Sequence, residues 1–119
     1  MKPFRFQQFS IQQSKNVFRV GTDGVLLGAL CSLSSPKNIL EVGTGSGLIS
    51  LMLAQRESSA KILAIDINYE AIELAEVNFK NSPFSISFPL HCLSYFPFKT
   101  GLVCSILSTQ LQLSSLYVS

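Results

Sequence analysis

With 119 residues, 47% of them hydrophobic and 13% charged, the chain is long enough for one domain with its own core and too short for two. Its net charge of +2 gives no argument for nucleic-acid binding by itself. Cys31, Cys92 and Cys104 are odd in number and lack CxxC spacing, which excludes a disulfide framework or a zinc cluster and leaves buried reduced thiols, so no metal is expected.

The opening Met1-Lys2-Pro3-Phe4-Arg5 leads into no apolar leader. No apolar run reaches the ~18 residues of a membrane span, so no membrane partner and a cytoplasmic location are expected. Phe4, Phe6, Phe9 and Ile11 nearly alternate with Arg5, Gln7, Gln8 and Ser10, which predicts a strand with a slip near Gln7-Gln8. Ser14-Lys15-Asn16 reads as a turn and Val17 to Val20 as a returning strand, together an N-terminal β-hairpin.

Thr22 or Asp23 can cap a helix running through Val25, Leu26, Leu27, Ala29 and Leu30 until Ser34-Ser35-Pro36 stops it. Gly24 and Gly28 weaken that helix by about 1 kcal/mol each relative to Ala, which points to close helix packing or a nearby ligand. Asn38 to Val42 is a short apolar run ending in a glycine turn, and Leu48 to Ala54 has the continuity of a buried helix. Lys61 to Ile65 is again a buried-strand run, and Asn68 caps a helix that carries Glu70 and Glu73 in its early turns. On that helix Ala71, Leu74 and Ala75 share a face while Glu73, Glu76 and Lys80 point to water. Strand, helix, strand, helix predicts parallel strands joined by right-handed crossovers.

Asn81-Ser82-Pro83 stops the helix, Ile86 to Leu90 is a candidate third strand, Leu102 to Leu107 a fourth, and Leu111 to Val118 alternates weakly. Charge changes here. All seven acidic residues precede position 77, beyond which Lys80 and Lys99 are the only formal charges.

The residues that carry chemistry are Glu41-Val42-Gly43-Thr44-Gly45-Ser46-Gly47 and Asp66. Gly43, Gly45 and Gly47 sit where a strand must turn sharply into a helix and let a ligand approach the backbone. The helix start at Gly47-Leu48 leaves backbone N–H groups for polar ligand atoms. Asp66, at the carboxyl end of the next strand, can accept both ribose hydroxyls of a nucleoside. Dinucleotide enzymes share this logic through G-x-G-x-x-G and a pyrophosphate. A carboxylate at Glu41 repels pyrophosphate and suits the ammonium of a methionine moiety, which favours S-adenosyl-L-methionine over NAD, with an NAD-binding oxidoreductase fragment as the remaining alternative.

Phe9-Ser10-Ile11, then Gly21-Thr22-Asp23-Gly24-Val25-Leu26-Leu27-Gly28-Ala29, the glycine turn, and Leu51-Met52-Leu53-Ala54-Gln55-Arg56 together resemble the bacterial adenine-N6 tRNA methyltransferases that modify valine tRNA beside the anticodon. The resemblance covers roughly residues 4 to 84. It implies an α/β fold, a Rossmann-like class I methyltransferase core with parallel strands and an N-terminal β-hairpin plus helix. It also implies S-adenosyl-L-methionine as cofactor and tRNA as partner. By that resemblance Gly43, Thr44, Gly45 and Gly47 line the cofactor, Glu41 faces its amino-acid part, Asp66 holds the ribose and Ile67 packs on the adenine. Thr22 and Asp23 either close over the methionine end or serve as helix caps. Residues 1–36 are then a hairpin and helix covering the cofactor site, 37–84 the cofactor-binding core, and 85–119 a divergent tail.

The family's Asn-Pro-Pro-Tyr-like motif, which draws on the adenine N–H groups and stacks the base, has no counterpart after Leu107, where Ser108-Thr109-Gln110-Leu111 stands. Asn81-Ser82-Pro83-Phe84 imitates it but follows a helix. His91 has no acid or metal partner nearby in sequence, and no basic patch with interleaved aromatics stands out. No catalytic residue is therefore assigned. The core is expected to be incomplete, from a truncated or frame-shifted chain whose family-like sequence ends between Phe84 and Lys99. Such a chain is either a methyltransferase or an inactive remnant that at most binds the cofactor.

Overall fold

A computed structural model describes residues 1–33, 38–84, 93–95 and 115–118. The elements in chain order are β1 (Phe4–Arg5), β2 (Ser10–Ile11), α1 (Thr22–Leu30), β3 (Asn38–Val42), α2 (Leu48–Arg56), β4 (Lys61–Asp66), α3 (Tyr69–Lys80), β5 (Leu93–Tyr95) and β6 (Ser115–Val118).

The main sheet has the order β5-β4-β3-β6. β3 and β4 run parallel, Ile39 beside Ile62 and Val42 beside Ile65, and β5 continues the parallel set along β4 from Ala64 beside Leu93. Parallel pairing follows from the two helical crossovers, since a hairpin cannot return a strand in the same direction. This is the Rossmann-like α/β arrangement expected, over the described residues. The edge of β3 opposite β4 pairs with β6, which runs antiparallel with Val42 beside Ser115. Ile86 to Leu90 and Leu102 to Leu107, expected as third and fourth strands, lie outside the described residues, as do Ser34-Ser35-Pro36, His91, Cys92 and Cys104.

Ile39 from β3, Ile62 and Ala64 from β4, Leu51, Leu53 and Ala54 from α2, and Ala75 and Phe79 from α3 form one buried cluster that also takes in Phe9 and Ile11. β4 contributes alternate residues and α3 residues one turn apart, as their geometries require, whereas α2 is buried along nearly its whole length. α3 begins where expected: the Asn68 side chain accepts from the N–H groups of Glu70 and Ala71, satisfying two orphan donors of its first turn. Ser82 seals the other end, donating to the Phe79 carbonyl at 2.8 Å.

Three local expectations are corrected. The N-terminal hairpin closes early: Phe4 pairs with Ile11 and Arg5 with Ser10, so Gln7-Gln8 is the turn itself, locked by Phe6 N–H donating to the Phe9 carbonyl at 2.8 Å. Val17 to Val20 is not a strand; the Gln13 side chain accepts from Val20 N–H at 3.2 Å in place of a strand partner. Thr22 and Asp23 do not cap α1, because extended Gly21 holds the cap position with no side-chain bond.

Gly24 and Gly28 earn their place by helix packing. A Cβ on Gly28 would stand 2.6 Å from Met52 Sδ and 3.0 Å from Met52 Cβ, and one on Gly24 would stand 3.3 Å from Leu48 Cδ2, so α1 lies directly on α2. Arg56, in the last turn of α2, then reaches across to the end of α1, donating to the Gly28 carbonyl at 3.0 Å and the Cys31 carbonyl at 2.8 Å.

Candidate functional site

The turn from β3 into α2 is built by three glycines in the left-handed region, Gly43 (φ 79°), Gly45 (φ 57°) and Gly47 (φ 87°), a conformation that side chains with a Cβ rarely adopt. Its path is fixed by backbone bonds to the neighbouring strand. Gly43 and Thr44 N–H both donate to the Ile65 carbonyl, at 2.8 and 3.1 Å, and Gly47 N–H folds back onto the Thr44 carbonyl at 2.9 Å. The Gly47 N–H is thus already engaged, contrary to the expectation that it is left for a ligand. The N–H groups of Leu48 and Ile49, in the first turn of α2, have no partner within the helix.

Asp66 ends β4 half-buried, its Oδ2 accepting from Gly45 N–H and its Oδ1 from Asn68 N–H, each at 2.8 Å. An ionised carboxylate offers about four acceptor positions, so room remains for two hydroxyls. Ile67 follows directly and is 53% exposed, an apolar side chain left open beside the acid.

Glu41 is fully buried at 0% exposure. Its Oε1 accepts from Thr44 Oγ1 and Ser50 Oγ, both at 2.6 Å, while Oε2 is buried with no hydrogen-bond partner. Burial pushes this carboxyl up to about 7, against the lowering pull of the Ser50 and Thr44 hydrogen bonds, with Asp66 adding a smaller push upward. A buried acceptor without a partner costs about 1–3 kcal/mol, so the site holds an acid whose charged form lacks one partner.

A cavity of about 400 Å³ opens against this acid, walled by Thr44, Leu48 and Ile49 on one side and by Phe18, Arg19, Thr22 and Asp23 on the other. Its size falls within the ordinary range for small-molecule sites. Of the residues singled out from sequence, it brings together Thr22, Asp23, Glu41, Gly43 and Thr44. Gly45, Gly47, Asp66 and Ile67 are not on its walls, and they lie around the turn beside β4. Gly47 also has a packing role, since a Cβ there would stand 2.5 Å from Phe79 Cε1.

Sequence reasoning missed the groups that hold the turn and the N-terminal segment together. Asn78 on α3 is 1% exposed; its amide donates to the Ser46 carbonyl at 2.8 Å and its oxygen accepts from Gln12 N–H at 2.7 Å. Ser14 Oγ donates to Glu70 at 2.6 Å, and Asn68 donates to the Asn16 carbonyl at 3.2 Å. These bonds draw residues 12–16 along α3, from Asn78 in its last turn to Glu70 and Asn68 at its start, so that Phe18 and Arg19 arrive at the cavity. A polar Asn on an otherwise apolar helix face was the one signal available. Among the described residues no group of three or more His, Cys, Asp or Glu could hold a metal, and no helix is long and apolar enough to cross a membrane.

A family model described as a methyltransferase domain matches residues 39–117. The chain is 60% identical over 93 residues to the tRNA1(Val) (adenine(37)-N6)-methyltransferase of Flavobacteriaceae bacterium (strain 3519-10), an overlap of 77% of this chain and 40% of that protein. It is 55% identical over 83 residues to the protein of that name from Flavobacterium psychrophilum, covering 69% of this chain and 36% of the relative. The match to the Vibrio vulnificus (strain YJ016) protein of that name is 50% over 82 residues, 69% and 34%. The chain therefore spans well under half the length of these curated relatives.

Proposed function

We propose that this chain, which belongs to the methyltransferase-domain family, binds S-adenosyl-L-methionine and transfers its methyl group to N6 of an adenine in tRNA, the acceptor named for its relatives. The observation that carries the cofactor reading is the unpartnered Oε2 of buried Glu41 behind a cavity that also meets the start of α2. An ammonium group can complete that acid directly or through a water. The first-turn N–H groups and the positive end of the helix favour the carboxylate of the same amino acid. Only a ligand with both charges close together uses both features.

In this reading Glu41 and Thr44 orient the amino-acid end, with Thr22 and Asp23 closing over it from α1. Gly43, Gly45 and Gly47 let the turn run close beneath the ligand. Asp66 accepts the ribose hydroxyls and Ile67 covers the adenine, supported by the remaining acceptor sites of the one and the exposure of the other. When bound, the cofactor supplies an electrophilic methyl group on a sulfonium. NAD is disfavoured because the acid at Glu41 stands where a pyrophosphate would need positive groups.

A second reading, a chain that binds the cofactor without transferring the methyl, is favoured by Ser108-Thr109-Gln110-Leu111 standing where the resembled family has its Asn-Pro-Pro-Tyr-like motif. Titration calorimetry with S-adenosylhomocysteine and with NAD tests the cofactor: the first binds and the second does not. A radiolabelled-methyl assay on unmodified tRNA then separates transfer from binding alone.

A further inference from the structure

Phe18 is 67% exposed, among the most exposed large apolar side chains described, yet it lies in the wall of the cavity behind which Glu41 sits, next to Arg19. An aromatic ring left open to water costs free energy unless something stacks on it. Its position is not an accident of a loose chain, because Val17 beside it is buried at 5% exposure and Val20 is held by Gln13. The segment that presents it carries Lys2, Arg5, Lys15 and Arg19 and no acid before Asp23. Of the rings interspersed with those cations, Phe4 and Phe18 are exposed while Phe9 is buried in the core. The low overall charge hides this, since all seven acids fall between positions 23 and 76.

We propose that Phe18 and Arg19 form the docking point for an unpaired RNA nucleotide at the mouth of the cavity, its base stacked on the Phe18 ring and its phosphate paired with the Arg19 guanidinium. This rests on the methyl-transfer reading of the cavity. Aromatic rings interleaved with cations are the means by which proteins hold single-stranded nucleic acid, the ring binding any base face and the cation the backbone. An acceptor base must leave its stack before its ring nitrogen substituents can be reached, so a stacking surface beside the cofactor cavity has a defined use. The four cations of the N-terminal segment, with no acid before Asp23, supply the complementarity to phosphate.

The test is fluorescence anisotropy of a labelled RNA stem-loop, with a blunt RNA duplex and a single-stranded DNA of the loop sequence alongside. It uses the 119-residue chain and its F18A, F18Y and R19A variants, with S-adenosylhomocysteine affinity measured on each. The parent binds the stem-loop more tightly than the duplex, F18A weakens it roughly ten-fold or more, F18Y keeps it, and R19A lowers the slope of log affinity against log salt by about one phosphate contact. Equal binding of duplex and stem-loop, or F18A and R19A that bind the stem-loop like the parent, overturns the proposal. So does an F18A loss for S-adenosylhomocysteine that equals or exceeds the loss for RNA, which gives the ring to the cofactor. A parent that binds S-adenosylhomocysteine but no RNA defeats the docking point and leaves the cofactor reading standing. One that binds neither removes the reading beneath it. Tighter binding of DNA than RNA also counts against it.

Discussion

The Asn78 amide on α3 donates to the carbonyl of Ser46 in the glycine turn at 2.8 Å and to the carbonyl of Gln12 at 3.2 Å, so one buried side chain ties the turn to the N-terminal segment. Replacing it with alanine removes both bonds and leaves the buried Ser46 carbonyl unpaired, at about 1–3 kcal/mol, while the bond to exposed Gln12 is worth about 0.5–1.5 kcal/mol. Asn78→Ala is expected to lower unfolding stability by roughly 2–4 kcal/mol in urea titration and to weaken S-adenosylhomocysteine. A loss below about 0.5 kcal/mol, the range of a neutral surface change, contradicts this role.

Gly45 and Gly47 share a positive φ but not their surroundings. A Cβ on Gly47 would lie 2.5 Å from Phe79 Cε1, whereas on Gly45 the nearest atom is Val17 Cγ1 at 3.9 Å. Gly45→Ala therefore bears only the left-handed strain, roughly 1–2 kcal/mol. Gly47→Ala bears that strain and must also displace a core ring, for a further ~1–3 kcal/mol. Thermal melts of the two variants should separate in that order; equal losses refute the packing role of Gly47.

The alternation of strand and helix, the Asn68 cap and the glycine turn were legible because each is a local event, decided by residues within one or two turns of one another. The path of residues 12–20 was not legible. It is set by Asn78, Glu70 and Asn68, more than fifty positions away, and such bonds leave no periodic trace, so Val17 to Val20 reads as a strand on its own composition. The hairpin turn was misplaced for a related reason. Phe4, Phe6 and Phe9 alternate well enough for one strand, but their rings stack on one another, Phe6 against Phe9 at 4.7 Å, which folds the chain back at Gln7-Gln8. Glu41 was legible as a candidate acid, but its burial and unpaired oxygen depend on Thr44 and Ser50 folding over it.

Arg56 fixes the far end of α1, bonding the Gly28 and Cys31 carbonyls, two of the acceptors a helix leaves open at its end. Because α1 carries Thr22 and Asp23 into the cavity wall, the clamp sets the pitch of that wall. Arg56→Ala should cost about 1 kcal/mol, the modest value suiting an exposed side chain. Lysine should recover only part, since one ammonium does not match a two-pronged guanidinium. Hydrogen exchange of α1 amides provides the check: faster exchange in Arg56→Ala confined to that helix supports the clamp, and unchanged exchange refutes it.

Glu41 makes stability and binding depend on pH in opposite directions. Its carboxyl ordinarily titrates at 4.5 and is raised to about 7 in the fold by burial. Between those values the folded chain holds a proton that the unfolded chain has released, so stability falls as pH rises. The contribution is fully present below pH 4.5 and lost as pH rises through about 7, and it amounts to about 3 kcal/mol, at roughly 1.4 kcal/mol per unit. Melts at pH 5.5, 6.5 and 8 should show this slope, and Glu41→Gln should flatten it. An ammonium ligand needs the ionised form, so S-adenosylhomocysteine affinity should instead rise with pH up to about 7 and then level off. Below that point, binding should release a proton, detectable as a dependence of the calorimetric heat on the buffer's ionisation enthalpy. A heat that is the same in every buffer at pH 6, with affinity flat across the range, would mean that the cofactor's amino group is held by something other than Glu41.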